Sequence, residues 1–438
     1  MSGVPDARGV VAGFCADLLR DPRHRDDPVL RDVLAQCGQP LRVLLVGDVS
    51  AGKSTLLNAL LAGHHAQTDH RETTSAVTWF HGPGLQAAPL PDPSHRGIAA
   101  DFPLAGRLMI ADAPGLNTHS GNARHTRRML PGGDLAGAAA AYVFLLLRGR
   151  ADGEAEALAD LTAMTAGPYD LTGNVVAVAG KADEVASDFA EIEERIPRET
   201  RLPIRAVAVH QKMAVAARVA DVGTPLVSAL EAIRAKPEIL TRTVLHWHHL
   251  THHLSQGHVQ ALVTALGSPS WLPGLLSRTA RSATAADVLR VVEDMSRLPV
   301  LESVLADIAE DGDLFTATAA VLRLRRWAAR PASHDGAAVQ ERLRALHGTA
   351  AFDGWRRRAA ARLVRHGEVG ADLPRDDRDA ACELLRSGRC PDPPALATRW
   401  SAYAVHPLRS TRSRDVAELI VGLARRADAP PRLKGTAR

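Results

Sequence analysis

The sequence predicts an α/β domain with a mostly parallel sheet, followed by an all-helical domain. Two observations lead to this fold class. Between residues 40 and 235, short apolar runs typical of buried strands alternate with helical patterns, as they do where helices connect parallel strands. After residue 240 the strand-like runs stop and only helical periodicity remains. The predicted domains are a helical lead at 1–39, an α/β domain at 40–238 and a basic helical domain at 239–438.

The individual elements follow from local patterns. The run LRVLLV at 41–46 ends at a glycine, as a buried parallel strand does. By the same criteria, further strands are predicted at 76–80, 107–111, 140–147, 174–179 and 205–210. Helical periodicity predicts helices at 10–20, 28–36, 54–61, 125–130, 153–166, 185–196 and 225–235, and then at 243–266, 279–295, 299–308, 313–330, 337–346, 351–366, 375–386 and 411–426.

The composition is that of an ordinary globular protein. Of 438 residues, 46% are hydrophobic and 23% are charged, which excludes a wholly disordered or collagen-like chain. The net charge of +4 is unevenly distributed: residues 1–240 carry 24 basic and 28 acidic side chains (−4), and residues 241–438 carry 29 and 21 (+8). We therefore expect the C-terminal half to meet any anionic surface, whether membrane, RNA or acidic protein.

The cysteines and the apolar runs indicate in which cellular compartment the protein is expected. The four cysteines lie far apart and form no CxxC pair, which is typical of free thiols rather than of a disulfide framework. No apolar segment follows a basic start at 1–10, and the longest apolar stretch, 135–147, is shorter than the roughly 18–20 residues that cross a bilayer. We expect a cytoplasmic protein that is at most peripheral to a membrane.

One segment of the chain fits the phosphate-binding pattern GxxxxGK[ST]. It consists of Gly47, Asp48, Val49, Ser50, Ala51, Gly52, Lys53 and Ser54. The segment lies between the first predicted strand and a helix that also includes Thr55. In this context the loop N–H groups and the helix N-terminus point at phosphate oxygens. We expect Lys53 to reach the β- and γ-phosphates and the Ser54 hydroxyl to ligate Mg²⁺.

Two further motifs follow strands in the order that a nucleotide site requires. Asp112 and Gly115 form a DxxG motif after a predicted strand, where the aspartate can hold Mg²⁺ through water and the glycine N–H can sense a γ-phosphate. Lys181 and Asp183 follow another strand, and a carboxylate there accepts two N–H bonds that guanine offers and adenine lacks. An ordinary charged loop is the alternative, but Lys181 is one of only five lysines among 53 basic residues.

The threonines of the segment ETTSAVT at 72–78 bear on the metal ion. One of them is expected to complete the Mg²⁺ shell and to position the attacking water, and Thr74 is favoured over Thr73. Thr78 is better explained as an ordinary strand residue. The predicted Mg²⁺ ligands are therefore Ser54, Thr74 and Asp112, and the predicted substrate is GTP.

In order and spacing, GDVSAGKST, ETTSAVTWF, DAPG and GKAD resemble the GTPase domain of bacterial dynamin-like proteins, most closely the actinobacterial ones. The resemblance covers residues 40–235; beyond them it rests on helical character alone. It implies an α/β P-loop GTPase domain followed by a helical bundle, in which the lead packs with C-terminal helices. It also implies that Ser50 stabilises charge and organises the attacking water, so that the predicted catalytic residues are Ser50, Lys53 and Thr74.

The chain departs from the family pattern at several positions. Val49 stands where eukaryotic dynamins have a glutamine. Gly180 replaces the Asn or Thr of NKxD or TKxD, a side chain that braces the P-loop. The fifth motif is not recognisable, and AVHQ at 208–211 is the best placement for it. Leu116 stands where Ras-like enzymes carry a water-orienting glutamine, and an apolar side chain cannot orient water. We therefore expect slow basal turnover that accelerates when a second G domain completes the site.

These observations predict a Mg²⁺-dependent enzyme that binds and hydrolyses GTP. Its expected protein partner is a second copy of the chain or another GTPase, bound through the G domain. A peripheral contact with an anionic membrane is also expected. Two alternatives stay open: a nucleotide-binding scaffold for another GTPase with negligible turnover, and a translation-associated GTPase. The aromatic content of 4% offers no stacking platform, so no specific nucleic acid is expected.

Three features of the C-terminal half have competing explanations. Histidines at 246–258 include pairs at i, i+4, a spacing that can bind zinc, but a polar helix face or hinge is favoured. The basic helix at 355–365 fits anionic lipid, an acidic protein or a solvated surface. The segment WLPGLL at 271–276 is either an apolar tip for a membrane or a buried loop.

Overall fold

The structure, a computed structural model of the chain, describes residues 6–47, 51–65, 77–85, 90, 96–112, 139–147, 154–165, 173–182, 189–202, 204–236, 239–240, 246–330, 335–346 and 348–428. Contacts divide the chain into two units. We call them the sheet unit, which comprises Gly38–Thr165 and Asn174–Thr316, and the helical unit, which comprises Met1–Cys37, Ala166–Gly173 and Ala317–Arg438.

The described part of the sheet unit contains seven strands. They are β1 Leu41–Gly47, β2 Thr78–His81, β3 Arg96–Ala99, β4 Leu108–Asp112, β5 Ala141–Leu147, β6 Val175–Gly180 and β7 Arg205–Ala208. The strands lie in the order β3-β2-β4-β1-β5-β6-β7, and all neighbours are parallel except β2 with β4. Every residue of β1, β4 and β6 is buried, as in sheets covered on both faces. The predicted α/β class is confirmed.

Both units contain helices among the described residues. In chain order they are α1 Ala7–Arg20, α2 Pro28–Cys37, α3 Lys53–Leu60, α4 Ala155–Thr165, α5 Phe189–Thr200, α6 Gln211–Arg218, α7 Gly223–Arg234, α8 Trp247–Leu250, α9 Gln256–Leu266, α10 Leu272–Arg278, α11 Ala285–Ser296, α12 Leu298–Glu310, α13 Gly312–Ala328, α14 Gly336–Leu346, α15 Ala350–Arg365, α16 Arg375–Ser387, α17 Pro393–Ala404 and α18 Thr411–Asp428. Among the described residues no strand follows β7. The described part of the chain after residue 240 is therefore helical, as predicted.

Helices α6, α7, α9, α10 and α11 share a second apolar core within the sheet unit. Arg218 on α6 adds ion pairs to Glu293 on α11 and Glu302 on α12, at 2.6 and 2.5 Å. Contacts therefore divide the chain after Thr316, whereas the sequence predicted a limit after residue 238. The reason is physical: helical periodicity shows that a helix has an apolar face, but it does not show which core that face joins.

The helical unit is built on the apolar faces of α15 to α18. Trp400 is fully buried there, with its ring 5.3 Å from that of Tyr403. The lead belongs to the same unit: Asp32 on α2 forms a buried ion pair with Arg323 on α13, and the Trp327 indole N–H donates to Asp27 at 2.8 Å. None of the four cysteines forms a disulfide among the described residues.

Several elements differ from the sequence-based expectations. Strand β3 was missed because it is short and exposed at all four residues, so it has no apolar pattern. Helices α10 and α17 were missed because prolines at their starts imitate loops. The helix predicted at 243–266 is divided into α8 and α9, where the Ser255 hydroxyl accepts the His258 N–H and caps α9. The helix predicted at 125–130 lies outside the described residues.

Among the described helices, none alone has the length and hydropathy that a bilayer-spanning segment needs. One consecutive pair, α6 with α7, passes that test only when the two are joined, and the chain bends by 115° between them.

The start of α11 allows a test of local stability. Thr284 and Asp287 form a reciprocal capping box: the Thr284 hydroxyl accepts the Asp287 N–H at 3.2 Å, and the Asp287 carboxylate accepts the Thr284 N–H at 3.0 Å. Thr284→Ala should lower the free energy of unfolding by about 1 kcal/mol, because the Asp287 N–H in the first turn of α11 loses its acceptor. Urea unfolding followed by circular dichroism measures this loss.

Thr284→Ser keeps the hydroxyl and serves as the matched control for the cap. It should retain most of the stability of the parent chain. An alanine variant within about 0.5 kcal/mol of the parent, the range of ordinary surface substitutions, would contradict the capping assignment.

Candidate nucleotide-binding site

The carboxyl ends of three parallel strands meet at one edge of the sheet. Gly47 ends β1, Asp112 ends β4 and Gly180 ends β6. In the register of β1 and β4, Leu45 lies beside Asp112. The edge at the carboxyl ends of parallel strands is where open α/β sheets bind ligands. The sheet topology therefore places the motifs that begin at Gly47, Asp112 and Gly180 at the same edge of the sheet.

Helix α3 begins at this edge, and its N-cap residue makes no side-chain hydrogen bond to the first turn. Gly52 is the N-cap residue and has φ +89°, a left-handed conformation that glycine adopts without steric cost. The N–H groups of the first helical turn have no helical partner and favour an anion. Lys53, Ser54 and Thr55 form that turn. The start of α3 has the geometry that phosphate binding needs.

Lys53 is buried at the base of this turn, with 5% of its surface exposed. Its Nζ donates to the Gly47 carbonyl at 2.9 Å, which folds the side chain back across the loop. A buried ammonium group is costly unless oxygen atoms surround it. Lys53 thus presents a positive charge between the end of β1 and the start of α3.

Ser54 and Asp112 are hydrogen-bonded to each other. The Ser54 hydroxyl donates to Asp112 Oδ2 at 3.0 Å, and Asp112 is 5% exposed. Burial raises the pKa of the Asp112 carboxyl, while the charge of Lys53 and the Ser54 hydrogen bond oppose that rise. The other oxygen, Oδ1, is buried and has no hydrogen-bond partner among the described residues. A hydroxyl beside a carboxylate with one unpaired oxygen is a donor set that fits Mg²⁺.

Some of the predicted site residues lie outside the described residues: Asp48, Val49, Ser50, Thr74, Gly115 and Asp183. Their roles stay predictions. Thr78, four positions after Thr74 in the sequence, is the register partner of Asp112 in the antiparallel pair β2 and β4. Thr78 is thus the strand residue that the sequence predicted.

Lys181 follows β6 directly and has φ +52°. Few residues other than glycine adopt this left-handed conformation, and such strain is concentrated at functional sites. Lys181 is partly exposed, whereas Ala182 next to it is fully buried. The backbone therefore turns sharply at the position where the sequence predicts recognition of the base.

Sequence reasoning missed one residue that contacts the P-loop. Gln211 Nε2 donates to the carbonyls of Ala51 and Gly52, at 3.2 Å each. The sequence signal that was available is its position three residues after the end of β7, where the fifth motif was placed at 208–211. The residue type gave no indication of the contact, because the two partners are about 160 positions away in the sequence.

The other candidate sites find less support. His248 and His252 face each other with ring centroids 5.0 Å apart, but the one group of three close metal-ligand atoms among the described residues is Asp21, His24 and Asp335. There Arg23 pairs with both carboxylates, at 2.6 and 2.8 Å. The histidine pair is not part of a group of three close ligand atoms among the described residues, and the carboxylates of the other cluster are already paired with an arginine.

The two predicted membrane elements are partly buried. In the segment 271–276, Leu272 and Leu275 are fully buried in the core of the sheet unit, which favours the buried alternative over an apolar tip. In the basic helix, Arg362 is 1% exposed and donates to the Gly173 carbonyl at 3.3 Å. Arg356 and Arg357 both pair with Asp353. The helix therefore offers no uninterrupted basic face.

Comparison with known proteins agrees with the site. Residues 42–174 match the profile of the family described as "50S ribosome-binding GTPase". The chain is similar to the isoniazid-induced protein IniC of Mycobacterium tuberculosis, with 31% identity over 185 residues, 35% of this chain and 36% of that protein. It is also similar to the small ribosomal subunit biogenesis GTPase RsgA of Syntrophotalea carbinolica, with 37% identity over 93 residues, 19% of this chain and 22% of that protein. The chain thus spans about a third or less of the length of these relatives.

Solved structures align over most of the chain at low identity. One is an oligomerised bacterial dynamin pair that is described as providing a mechanism for the long-range sensing and tethering of membranes. The alignment with it covers 97% of this chain and 86% of the other, at 11% identity and a TM-score of 0.34. The bacterial dynamin GTPase LeoA from ETEC covers 96% and 66%, at 14% identity and a TM-score of 0.26. The motifs, the sheet and the family match agree that residues 42–174 belong to a GTPase domain, and the solved structures to which the chain is similar include bacterial dynamins.

Proposed function

We propose that the chain binds GTP and hydrolyses it with Mg²⁺, as a member of the bacterial dynamin-like group. The observation that carries this proposal is the arrangement of Lys53, Ser54 and Asp112 at the start of α3. A buried cation, a hydroxyl and a carboxylate at a helix N-terminus are what a nucleoside triphosphate with Mg²⁺ requires. The motif order quoted above supports guanine as the base and the dynamin-like group as the affiliation.

The residues have distinct roles in this proposal. Lys53 neutralises negative charge that develops on the β- and γ-phosphates during phosphoryl transfer. Ser54 and Thr74 would hold Mg²⁺ directly, and Asp112 would hold it through water. The ion would supply positive charge that offsets the negative charge of the phosphates. Ser50 and the backbone of Thr74 orient the attacking water, Gly115 senses the γ-phosphate, and Lys181 and Asp183 read the guanine.

Activation by a second G domain is part of the proposal. Its support is Leu116, since a leucine at the water-orienting position leaves the isolated site incomplete. If a second copy completes the site, GTP turnover per mole of protein should rise several-fold across a hundred-fold range of protein concentration. Phosphate release measured with GTP and Mg²⁺, beside an ATP control, tests this expectation.

The outcomes of the concentration series separate the enzyme from the scaffold alternative. Turnover that rises with concentration and is absent with ATP supports a dimer-activated GTPase. Flat, negligible turnover with GTP binding retained would move the assignment to a nucleotide-binding scaffold that serves another GTPase.

A ribosome-associated role is the second candidate function. Two similarities support it: residues 42–174 match a family that is described as ribosome-binding, and the chain is similar to RsgA. A peripheral contact with an anionic membrane is supported by the net charge of +8 in residues 241–438 and by Arg365, which is exposed on α15. Sedimentation with purified 50S subunits and, in parallel, with vesicles rich in anionic lipid distinguishes the two: binding to one and not to the other decides between them.

A further inference from the structure

The carboxamide of Gln211 lies against the P-loop, between two glycines. Gln211 is the first residue of α6 and is 4% exposed. A Cβ placed on Gly52 would come within 2.3 Å of Gln211 Oε1, and one placed on Gly180 would come within 2.3 Å of the Ala51 carbonyl and 3.3 Å of Gln211 Nε2. The space that a side chain at position 180 would need is therefore occupied by the loop and by the glutamine.

The two hydrogen bonds of Gln211 fix the direction of two consecutive peptide units. Nε2 donates to the carbonyls of Ala51 and Gly52. In a trans peptide the carbonyl and the N–H of the same unit point in opposite directions. Holding these two carbonyls toward Gln211 therefore directs the N–H groups of Gly52 and Lys53 away from it. Those N–H groups belong to the loop and the helix start that receive phosphate oxygens.

The glutamine is itself held firmly in the sheet unit. The His210 N–H donates to the Ser296 carbonyl at 3.0 Å, which joins the start of α6 to the end of α11. His210 is fully buried, and its ring lies 5.4 Å from that of Trp271. A side chain whose backbone is fixed in this way can hold a loop in one conformation.

We propose that Gln211 is the positioning residue of the P-loop, in place of the side chain that Gly180 lacks. The proposal rests on the function proposed above, because it concerns the same nucleotide. The loop is braced from the start of α6, after β7, rather than from the end of β6. Gln211 acts on the loop that binds phosphates, so its loss should weaken binding of GDP and GTP and leave the preference for guanine over adenine unchanged.

The test is Gln211→Met, which keeps the length of the side chain and removes the donor without burying a charge. Titration with a fluorescent GDP analogue should show affinity about tenfold lower, the effect of losing two modest hydrogen bonds. The ratio of GTP to ATP affinity should stay at the value of the parent chain, whereas the unfolding temperature without nucleotide should fall slightly, because the Ala51 and Gly52 carbonyls lose their donor. Gln260→Met is the matched control, because Gln260 lies on an exposed face of α9 in the same unit.

The outcomes separate this inference from the proposed function. If the parent chain binds neither GDP nor GTP, the proposed function fails and takes this inference with it. If the parent chain binds GDP and Gln211→Met binds it equally well, or loses guanine preference instead of affinity, the inference alone is overturned. Should the methionine variant not fold, Gln211→Leu removes the donor without adding a charge, and the same loss of affinity is expected.

Discussion

Replacing Lys53 with alanine is expected to lower GTP turnover by at least about 100-fold, because the charge that develops on the transferred phosphoryl group loses its closest fixed cation. Lys53 is buried, and its Nζ reaches back to the Gly47 carbonyl at 2.9 Å. No solvent-exposed lysine can take this place, since the position depends on the turn between β1 and α3. Phosphate release under single-turnover conditions measures the loss directly.

The matched control for Lys53 is Lys212→Ala. Lys212 lies on α6 in the same unit, is exposed, and has no role in the proposed mechanism. Its removal changes the net charge by the same amount, so any general electrostatic effect on nucleotide approach appears in both variants. Turnover of the Lys53 variant within twofold of the Lys212 variant would remove this segment from the proposed active site.

Lys53, Ser54 and Asp112 could be predicted from the sequence because each lies at the end of a strand or the start of a helix. Parallel strands have their carboxyl ends at one edge, so consecutive motifs that follow strands must come together there. The spacing of the motifs along the chain is then sufficient to predict the site. Residues that lie outside the described parts of the chain, such as Thr74 and Asp183, follow the same logic and stay predictions.

Gln211 and the limits of the two units could not be predicted in this way. The contacts of Gln211 join segments that are about 160 positions apart, and they depend on how α6 packs beside α3. The helices between residues 247 and 310 show ordinary amphipathic patterns, yet they join the sheet unit and not the C-terminal helices. Local periodicity specifies an element and its buried face, whereas the choice of partner is a property of the whole fold.

Asp112→Asn is expected to have opposite effects on stability and on activity. In the absence of Mg²⁺ and nucleotide, the variant should unfold at a higher temperature than the parent chain at neutral pH. The reason is that burial raises the pKa of Asp112. At neutral pH, moving this carboxyl from water into the folded protein therefore makes the free energy of folding less favourable. At the same time GTP turnover should fall on the order of 100-fold, since the carboxylate that would hold Mg²⁺ is gone.

The sign of the pH dependence follows from the raised pKa. The folded state binds a proton at Asp112 more tightly than the unfolded state does, so this group makes folding less favourable as the pH rises through the raised pKa. Below the unfolded pKa both states are protonated and the cost disappears. The stability advantage of Asp112→Asn should therefore be largest at neutral pH and should shrink as the solution is acidified.

The comparison needs an aspartate whose charge is not buried. Asp101→Asn is suited to this, because Asp101 is exposed and lies in the same unit. It should change neither the unfolding temperature nor GTP turnover. Adding Mg²⁺ and GTP should then stabilise the parent chain and the Asp101 variant by the same amount and the Asp112 variant by much less, since ligand binding stabilises only the state that binds. An Asp112 variant that is less stable than the parent without ligand, or equally stabilised with it, would show that the carboxylate serves the fold and not the metal ion.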